Sequence, residues 1–220
     1  MNLQQRRWVG LGGLALIVVL LMSVFLTPNT PDPDASPAKV ALFVQQHQNG
    51  LYLNAYLTSL AVLIAATFLW YYREVVAPAV PGRRLANLGF AGGVLFLVGG
   101  VYSAGTAFAM ANAAKHAEPS VLQMLNIFSD DVNGFTGAAT ALLMGATSLA
   151  ILKSKALPKG LAYVGLVLAV VSFVLPLPGF FAVALWWLIT SVVVLATSRR
   201  SVRPTESSPA PVIEPSVQSS

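Results

Sequence analysis

Six long apolar stretches constrain this chain more than any other feature of its sequence. A helix needs about 20 mostly apolar residues to cross the hydrocarbon core of a bilayer, and the stretches approach that length. Only 10% of the residues are charged and 56% are hydrophobic, whereas a soluble domain has about 25% charged residues. The sequence therefore predicts an all-α, polytopic membrane bundle with six transmembrane helices, over residues 8–26, 51–71, 87–110, 134–152, 161–175 and 179–197.

The lysines and arginines predict how these spans are oriented. If the N-terminus lies inside, the outer loops hold only Lys39 and Lys115, and the other eleven basic residues lie in inner segments. Such a bias is typical of cytoplasmic loops, so we expect both termini inside and a multi-pass protein of the bacterial cytoplasmic (cell) membrane. The first span is expected to stay as an anchor, since its apolar run exceeds the roughly 7–15 residues of a signal peptide. The inner residues are Arg6, Arg7, Arg73, Arg83, Arg84, Lys153, Lys155, Lys159, Arg199, Arg200 and Arg203.

The first two outer loops each contain a stretch with helical spacing of apolar residues. In the first, which follows a proline-rich segment at 27–37, the stripe falls at i, i+3, i+4 and i+7. In the second, Pro119 suits a first helical turn. Each stretch ends in Asn-Gly, at 49–50 and 133–134. We expect two short amphipathic helices, with stripes Val40, Phe43, Val44 and His47, and Val121, Leu122, Leu125 and Phe128.

The remaining boundaries follow from proline and composition. Residues 175–179 read "LPLPG", and because proline disrupts a helix interior, a tight turn should join the last two spans. Residues 1–200 form the six-span domain. Residues 201–220 are polar and rich in proline and serine, which predicts a disordered cytoplasmic tail.

Small residues at helical spacing predict where the spans meet. Span three has Gly89 and Gly93, and span four has Gly137, Ala141 and Gly145. Small residues let helix backbones approach closely in lipid. We expect spans three and four to lie at the centre of the bundle, with self-association through these faces as the alternative.

No Asp, Glu, Lys, Arg or His lies within the six spans. Ionisable residues at membrane depth usually mark proton relays and ion-coupled transport, so the spans argue against a proton-coupled carrier. The neutral polar residues that remain usually hydrogen-bond to a neighbouring helix or to the carbonyl one turn back. The alternative is a pocket for a neutral ligand, for which the candidate residues are Asn54, Ser103, Thr106, Thr140 and Trp186.

Both histidines and one acidic pair fall on the predicted outer side. Two imidazoles and a carboxylate are ligands that zinc accepts, so His47, His116, Asp130 and Asp131 are candidate metal ligands. The ordinary alternative is that Asp130 or Asp131 caps the fourth span or continues the amphipathic helix before it, since a carboxylate at a helix N-terminus accepts free N–H bonds. No cofactor motif is present, and we expect no cofactor.

Two segments resemble a family of uncharacterised bacterial six-span integral membrane proteins. They are "ALPKGLAYVGLVLAVVSFVLPLPGFFAVALWWLITSVVVL", residues 156–195, and "LYLNAYLTSLAVLIAATFLWYYREVV", residues 51–76. The shared landmarks are Leu157-Pro158 with a basic residue, a glycine-containing span and a final span with tryptophan. The resemblance implies six spans and carries over no catalytic residue.

These observations give two main functional hypotheses. The first is a non-enzymatic protein that acts through the lipid bilayer and a membrane-protein partner or a second copy of itself, with no role for nucleic acid. The second is a small transporter or channel for a neutral or weakly polar solute. An enzyme with an outward-facing site around His116 and the two aspartates is a distant third.

Overall fold

The computed structural model describes residues 3–76 and 82–200, and within these ranges it contains α-helices and no strand. Helices are expected here because a helix satisfies its own backbone hydrogen bonds, as an apolar surrounding requires. The seven helices are α1 Leu3–Leu26, α2 Pro37–Gln46, α3 Gln48–Val76, α4 Arg83–Ala113, α5 Pro119–Ser154, α6 Lys159–Val174 and α7 Pro176–Arg200.

Six of these helices form a ring. Going around it, α1 packs on α3, α3 on α4, α4 on α5, α5 on α6, α6 on α7, and α7 returns to α1. Helix α5 also contacts α7, which draws it towards the middle. Short connections make neighbours such as α4 and α5 antiparallel. Since three steps separate α1 from α5 in either direction, these two helices lie on opposite sides of the ring.

The outside of the bundle is apolar. Four helices, α1, α3, α4 and α5, are long and apolar enough to cross a membrane, while α6 and the apolar part of α7, Phe181–Thr197, are shorter. Large side chains such as Phe25, Leu63 and Phe173 are more than half exposed around the perimeter. A soluble protein rarely exposes so much apolar surface. The expectation of a helical bundle that is compatible with a membrane is confirmed.

The two ends of the ring differ in composition. One end, here the basic end, carries Arg73, Arg83 and Lys159. The other, here the cap end, carries α2, which packs on α5, α3 and α4. Val40 and Val44 of α2 are fully buried there, in a small core that also contains Met110. The first predicted amphipathic helix is therefore present and packs on the bundle through Val40 and Val44, whereas His47, the last residue of the predicted stripe, caps the helix and is exposed.

Helix α5 corrects the expectation for the second outer loop. The amphipathic stretch and the fourth span form one continuous helix from Pro119 to Ser154, which passes through residues 133–134 without a break. Asn and Gly lower helix propensity by only about 0.7–1 kcal/mol each, and packing of buried Leu122 and Ala139 on either side outweighs this. Pro119 lies in the first turn, as expected.

The same finding decides the role of the acidic pair. Asp130 and Asp131 lie inside α5, more than two turns beyond its first residue, and both are exposed. They do not cap a helix; the N-cap residue of α5 is Glu118, whose side chain makes no capping hydrogen bond. The alternative, that the pair continues the amphipathic helix, is confirmed.

Glycines bring α4 and α5 into backbone contact. A Cβ atom placed on Gly92 would lie 2.6 Å from the backbone nitrogen of Leu143, and one on Gly89 would lie 2.5 Å from the side chain of Thr147. The expected close packing of spans three and four is present. The expected central position is correct only for α5. In its most apolar part 56% of the residues are buried, against 33% for α4, which lies on the rim of the ring.

The last two helices form the expected tight hairpin. Helix α6 ends at Val174 and α7 begins at Pro176, so a single extended residue, Leu175, joins them. The prolines of "LPLPG" thus fall in the first turn of α7, where their missing N–H groups cost no hydrogen bond. The tail predicted at residues 201–220 lies outside the described residues.

Candidate functional site

A cavity of about 180 Å³ lies inside the ring, between α1, α3, α4, α5 and α7. It is amphipathic along its length. Five small polar side chains line it. On α3, the polar residues of the lining lie nearer the cap end, and the aliphatic ones lie nearer the middle of the bundle. The polar residues are Ser23, Asn54, Thr58, Ser103 and Thr136.

Asn54 is at the centre of the polar part. Its Oδ1 accepts one hydrogen bond from the hydroxyl of Ser23 at 3.0 Å and another from the hydroxyl of Thr58 at 3.3 Å. Its Nδ2 makes no hydrogen bond within the described part of the chain, and neither does the half-buried hydroxyl of Ser103. Two donor groups thus remain for a ligand in the cavity.

The floor of the cavity is aromatic. Phe96 and Trp187 both line it, with their ring centroids 5.4 Å apart and their planes nearly perpendicular. The Trp187 ring also makes an edge-to-face contact with Phe68, which in turn stacks on Tyr72. Edge-to-face pairs of this kind stabilise a fixed ring position. Contacts with Phe96 and Phe68 thus hold the Trp187 ring in place at one end of the cavity.

The proline-rich segment at residues 27–36, here the strap, crosses the cap end of the ring. It leaves α1, passes Gly50 at the start of α3 through Pro28, and reaches α5, where Asn126 Nδ2 donates to the Pro31 carbonyl at 3.0 Å. Gln123 Nε2 donates to the Ala35 carbonyl at 2.9 Å. Because α1 and α5 are on opposite sides of the ring, the strap crosses the cap end from one side to the other.

Beyond Trp187, the buried face of α7 carries polar atoms that have no partner. The indole N–H groups of Trp186 and Trp187 and the hydroxyls of Thr190 and Ser191 make no hydrogen bond with the described residues, and all four side chains are fully buried. We call these four residues and Tyr72 the polar stripe. The Tyr72 hydroxyl is near Thr147 and Thr190 without reaching hydrogen-bond geometry with either. An unpaired buried polar group costs about 1–3 kcal/mol.

The candidate residues for a neutral-ligand pocket divide into two groups. Asn54 and Ser103 line the cavity together. Thr106 and Thr140 are buried in helix packing instead, and the Thr106 hydroxyl donates to the Tyr102 carbonyl at 2.7 Å. Trp186 is buried beside Gly165 and does not line the cavity.

The candidate metal ligands do not converge. Among the residues that the structure describes, no group of three or more His, Asp or Glu side chains is placed to hold a metal ion. His47 stacks on Phe43, and its Nδ1 is 3.0 Å from the Phe43 carbonyl. His116, Asp130 and Asp131 are exposed. These four residues share the cap end without forming a common site.

Sequence reasoning did not select Ser23, Thr58 or Thr136 as ligand contacts, and of the two adjacent tryptophans it named Trp186 and not Trp187. Thr58 and Thr136 belong to the neutral polar residues of the spans, but nothing in one sequence shows which of those face inwards. Trp187 is adjacent to Trp186, and both are fully buried, so burial alone does not separate the two. Ser23 had one usable signal, as a hydroxyl near the outer end of the most apolar span.

Comparison of the chain with family models, with curated proteins and with solved structures finds no match.

Proposed function

We propose that this protein is a six-span membrane protein that binds a small neutral, amphipathic solute within its helix ring and carries it across the membrane. The observation that carries the proposal is the cavity between Asn54 and Trp187, with hydrogen-bonding groups at one end and an aromatic floor at the other. Of the two main functions expected from the sequence, it favours the transporter or channel over a protein that acts only through partners.

The size of the cavity limits the solute. An apolar cavity of about 150 Å³ holds one benzene molecule, and drug-sized ligands need about 300–1,000 Å³. The present volume of about 180 Å³ fits one molecule slightly larger than benzene. Asn54 Nδ2 and the Ser103 hydroxyl are the donors that would bind a carbonyl or hydroxyl oxygen of the solute, while Phe96 and Trp187 would contact its apolar part.

The chemistry of the lining argues for a neutral solute. None of the residues that line the cavity is ionisable, and an unpaired charge in such a place would lose its hydration without gaining a partner. Serine, threonine and asparagine exchange hydrogen bonds with a neutral polar group at little cost. We therefore assign the cavity to uncharged molecules such as small amides, alcohols and phenols, and we assign no enzymatic reaction to it.

The same proposal includes the orientation of the chain. The basic end, with Arg73, Arg83, Arg84 and Lys159, is assigned to the cytoplasm because basic residues are retained there. The cap end then faces outwards in the bacterial cytoplasmic membrane, with the strap over the outer opening. Under this arrangement α6 and α7 also span the bilayer.

The test uses the purified full-length chain in lipid nanodiscs and in proteoliposomes. A panel of small neutral solutes, including phenol, benzyl alcohol and short-chain amides, is screened by thermal shift, and the best binder is followed by radiolabelled uptake. We expect Asn54→Leu to weaken binding about tenfold or more, since losing a hydrogen bond to a buried polar site costs on the order of 1–3 kcal/mol.

A matched pair of substitutions controls for general damage. Thr58→Val removes a hydroxyl that lines the cavity, and Thr67→Val makes the same change on the exposed side of α3, where the hydroxyl bonds only to the Leu63 carbonyl. Binding should fall in Thr58→Val and remain unchanged in Thr67→Val. If no neutral solute binds, or if both variants behave alike, the proposed function is wrong.

A further inference from the structure

The polar stripe is a second feature of the interior that helix packing does not explain. Thr190 and Ser191 follow Trp187 by three and four residues, which places them on the same face of α7, about 4.5–6 Å further towards the basic end. With Trp186, Trp187 and Tyr72 they make five buried polar atoms that form no hydrogen bond among the described residues, although the Tyr72 hydroxyl lies near Thr190.

Buried hydroxyls outside the stripe are of two kinds: Ser148 of α5 and Ser172 of α6 are unpartnered among the described residues, as Thr190 and Ser191 are, and others bond to their own helix. Serine and threonine in apolar helices normally bond to the carbonyl one turn back. Thr106, Thr147 and Thr197 all do so, at 2.7, 2.6 and 2.9 Å, and Thr197 is on the same helix as the stripe. Thr190 and Ser191 leave that acceptor unused. Thr190 and Ser191 are therefore two donors on one helix face that their own helix does not satisfy.

The stripe begins where the cavity ends. Trp187 belongs to both, because it lines the cavity and its own N–H is unpartnered. Phe68 and Phe96 both contact its ring in edge-to-face geometry. Tyr72 stacks on Phe68, so the polar atoms of the stripe lie on the side of this aromatic group that faces the basic end.

We propose that the polar stripe is a second binding site, which takes up water and small neutral polar molecules from the basic end of the bundle, and that Trp187 separates it from the cavity. The two sites are then the two halves of one path through the ring. The inference that water enters from the basic end rests only on the unpartnered atoms of the stripe and not on the proposed function. Passage of the solute through it rests on the proposed function.

The chain has no cysteine, which allows a direct test with one introduced thiol. Thr190→Cys is made in the otherwise unchanged full-length protein and exposed, in oriented proteoliposomes, to a membrane-impermeant methanethiosulfonate reagent on either side. The control is Ile151→Cys, because Ile151 is also fully buried but lies in the apolar core. From the basic end, we expect Thr190→Cys to react at least tenfold faster than the control. Equal rates for the two variants would overturn the proposal.

The role of Trp187 is tested in the same vesicles. With Trp187 intact, Thr190→Cys should react from the basic end only. In the double variant with Trp187→Ala, it should also react from the cap end, while Trp187→Phe, which keeps an aromatic ring, should preserve the one-sided reaction if the alanine variant does not fold. Reaction from both ends with Trp187 intact would show that this residue is not a partition.

The labelling measures access of water and not transport. A one-sided reaction at residue 190 in a protein that binds no neutral solute would remove the proposed function and leave the second site in place. Solute binding in the cavity without any labelling at residue 190 would remove the second site and leave the proposed function in place.

Discussion

The hydroxyl of Ser23 donates a 3.0 Å hydrogen bond to Oδ1 of Asn54, and this contact joins α1 to α3 beside the cavity. Among the described residues, it is one of few side-chain hydrogen bonds between helices inside the ring. Because Thr58 donates to the same oxygen, the asparagine amide is held in one orientation with its nitrogen free. The structural bond and the proposed ligand contact therefore depend on the same side chain.

Ser23→Ala should lower the free energy of unfolding slightly. Hydrogen bonds between helices within a membrane protein average about 0.6 kcal/mol in double-mutant cycles. A cycle of Ser23→Ala and Asn54→Ala, measured by unfolding in mixed micelles, should give a coupling energy of that size. A coupling energy indistinguishable from zero would mean that the contact contributes nothing to stability.

Gly92→Ala should destabilise the bundle by about 1–3 kcal/mol, the usual cost of overpacking. The added Cβ would meet backbone atoms of α5, including the nitrogen of Leu143 at 2.6 Å, and backbone cannot move aside as a side chain can. Gly105→Ala on the same helix is the control, since no atom lies within 4 Å of its added Cβ. Thermal unfolding should separate the two variants, and similar melting temperatures would contradict the close approach of α4 and α5.

Thr190→Val should stabilise the protein by up to about 1 kcal/mol, because the buried hydroxyl has no protein hydrogen bond to lose and valine keeps the shape of the side chain. Thr147→Val, which removes a hydroxyl bonded at 2.6 Å to the Leu143 carbonyl, should bring no such gain. If the polar stripe forms half of the path, solute uptake should slow in Thr190→Val although the protein melts at a higher temperature. Melting temperature and solute uptake are measured on the same preparations. A fall in both would show that Thr190→Val damages the fold and would contradict the prediction.

Asn126→Ala should loosen the strap. Its side chain is nearly buried and donates to the Pro31 carbonyl, so alanine removes a tie between α5 and the segment above the cavity. In a Ser103→Cys background, we expect faster labelling by an impermeant thiol reagent from the cap end. Asn112→Ala, an exposed residue near the same end that bonds to Tyr52, should leave the labelling rate unchanged.

Solute binding should not depend on pH between about 5 and 8, the range in which a histidine would titrate. The lining of the cavity contains no ionisable side chain, and both histidines are exposed at the cap end. Binding isotherms across this range would test the point. A tenfold change in affinity would assign a titrating group to the site.

The helices could be located from the sequence because apolar length is a strong local signal. Helices α1, α3, α4, α6 and α7 extend past the expected spans by up to about five residues at an end, except that α6 ends one residue earlier than expected. The exception is α5, since the Asn133-Gly134 pair suggests a break that tertiary packing overrides. Whether six helices cross the membrane stays a prediction, because only four of them are long enough by themselves.

The site was harder to predict, for a geometric reason. Asn54 and Ser103 were identified because they are polar residues within apolar spans. Thr106 and Thr140 share that property, but they are buried between helices and do not line the cavity. What separates these pairs is the rotation of each helix about its axis. Rotation follows from contacts such as Gly92 against α5 and Gly93 against Leu69, and one sequence does not specify which glycine meets which helix.

The shortness of α6 affects the surrounding membrane. Its 16 residues extend about 24 Å, against a hydrocarbon thickness of about 30 Å, and a single residue turns the chain back into α7. In the six-span arrangement that we propose, lipids beside α6 should thin to match it, while those beside the longer α3 on the opposite side of the ring need not. The protein should therefore favour thin bilayers, and short-chain lipids should gather along one side of it.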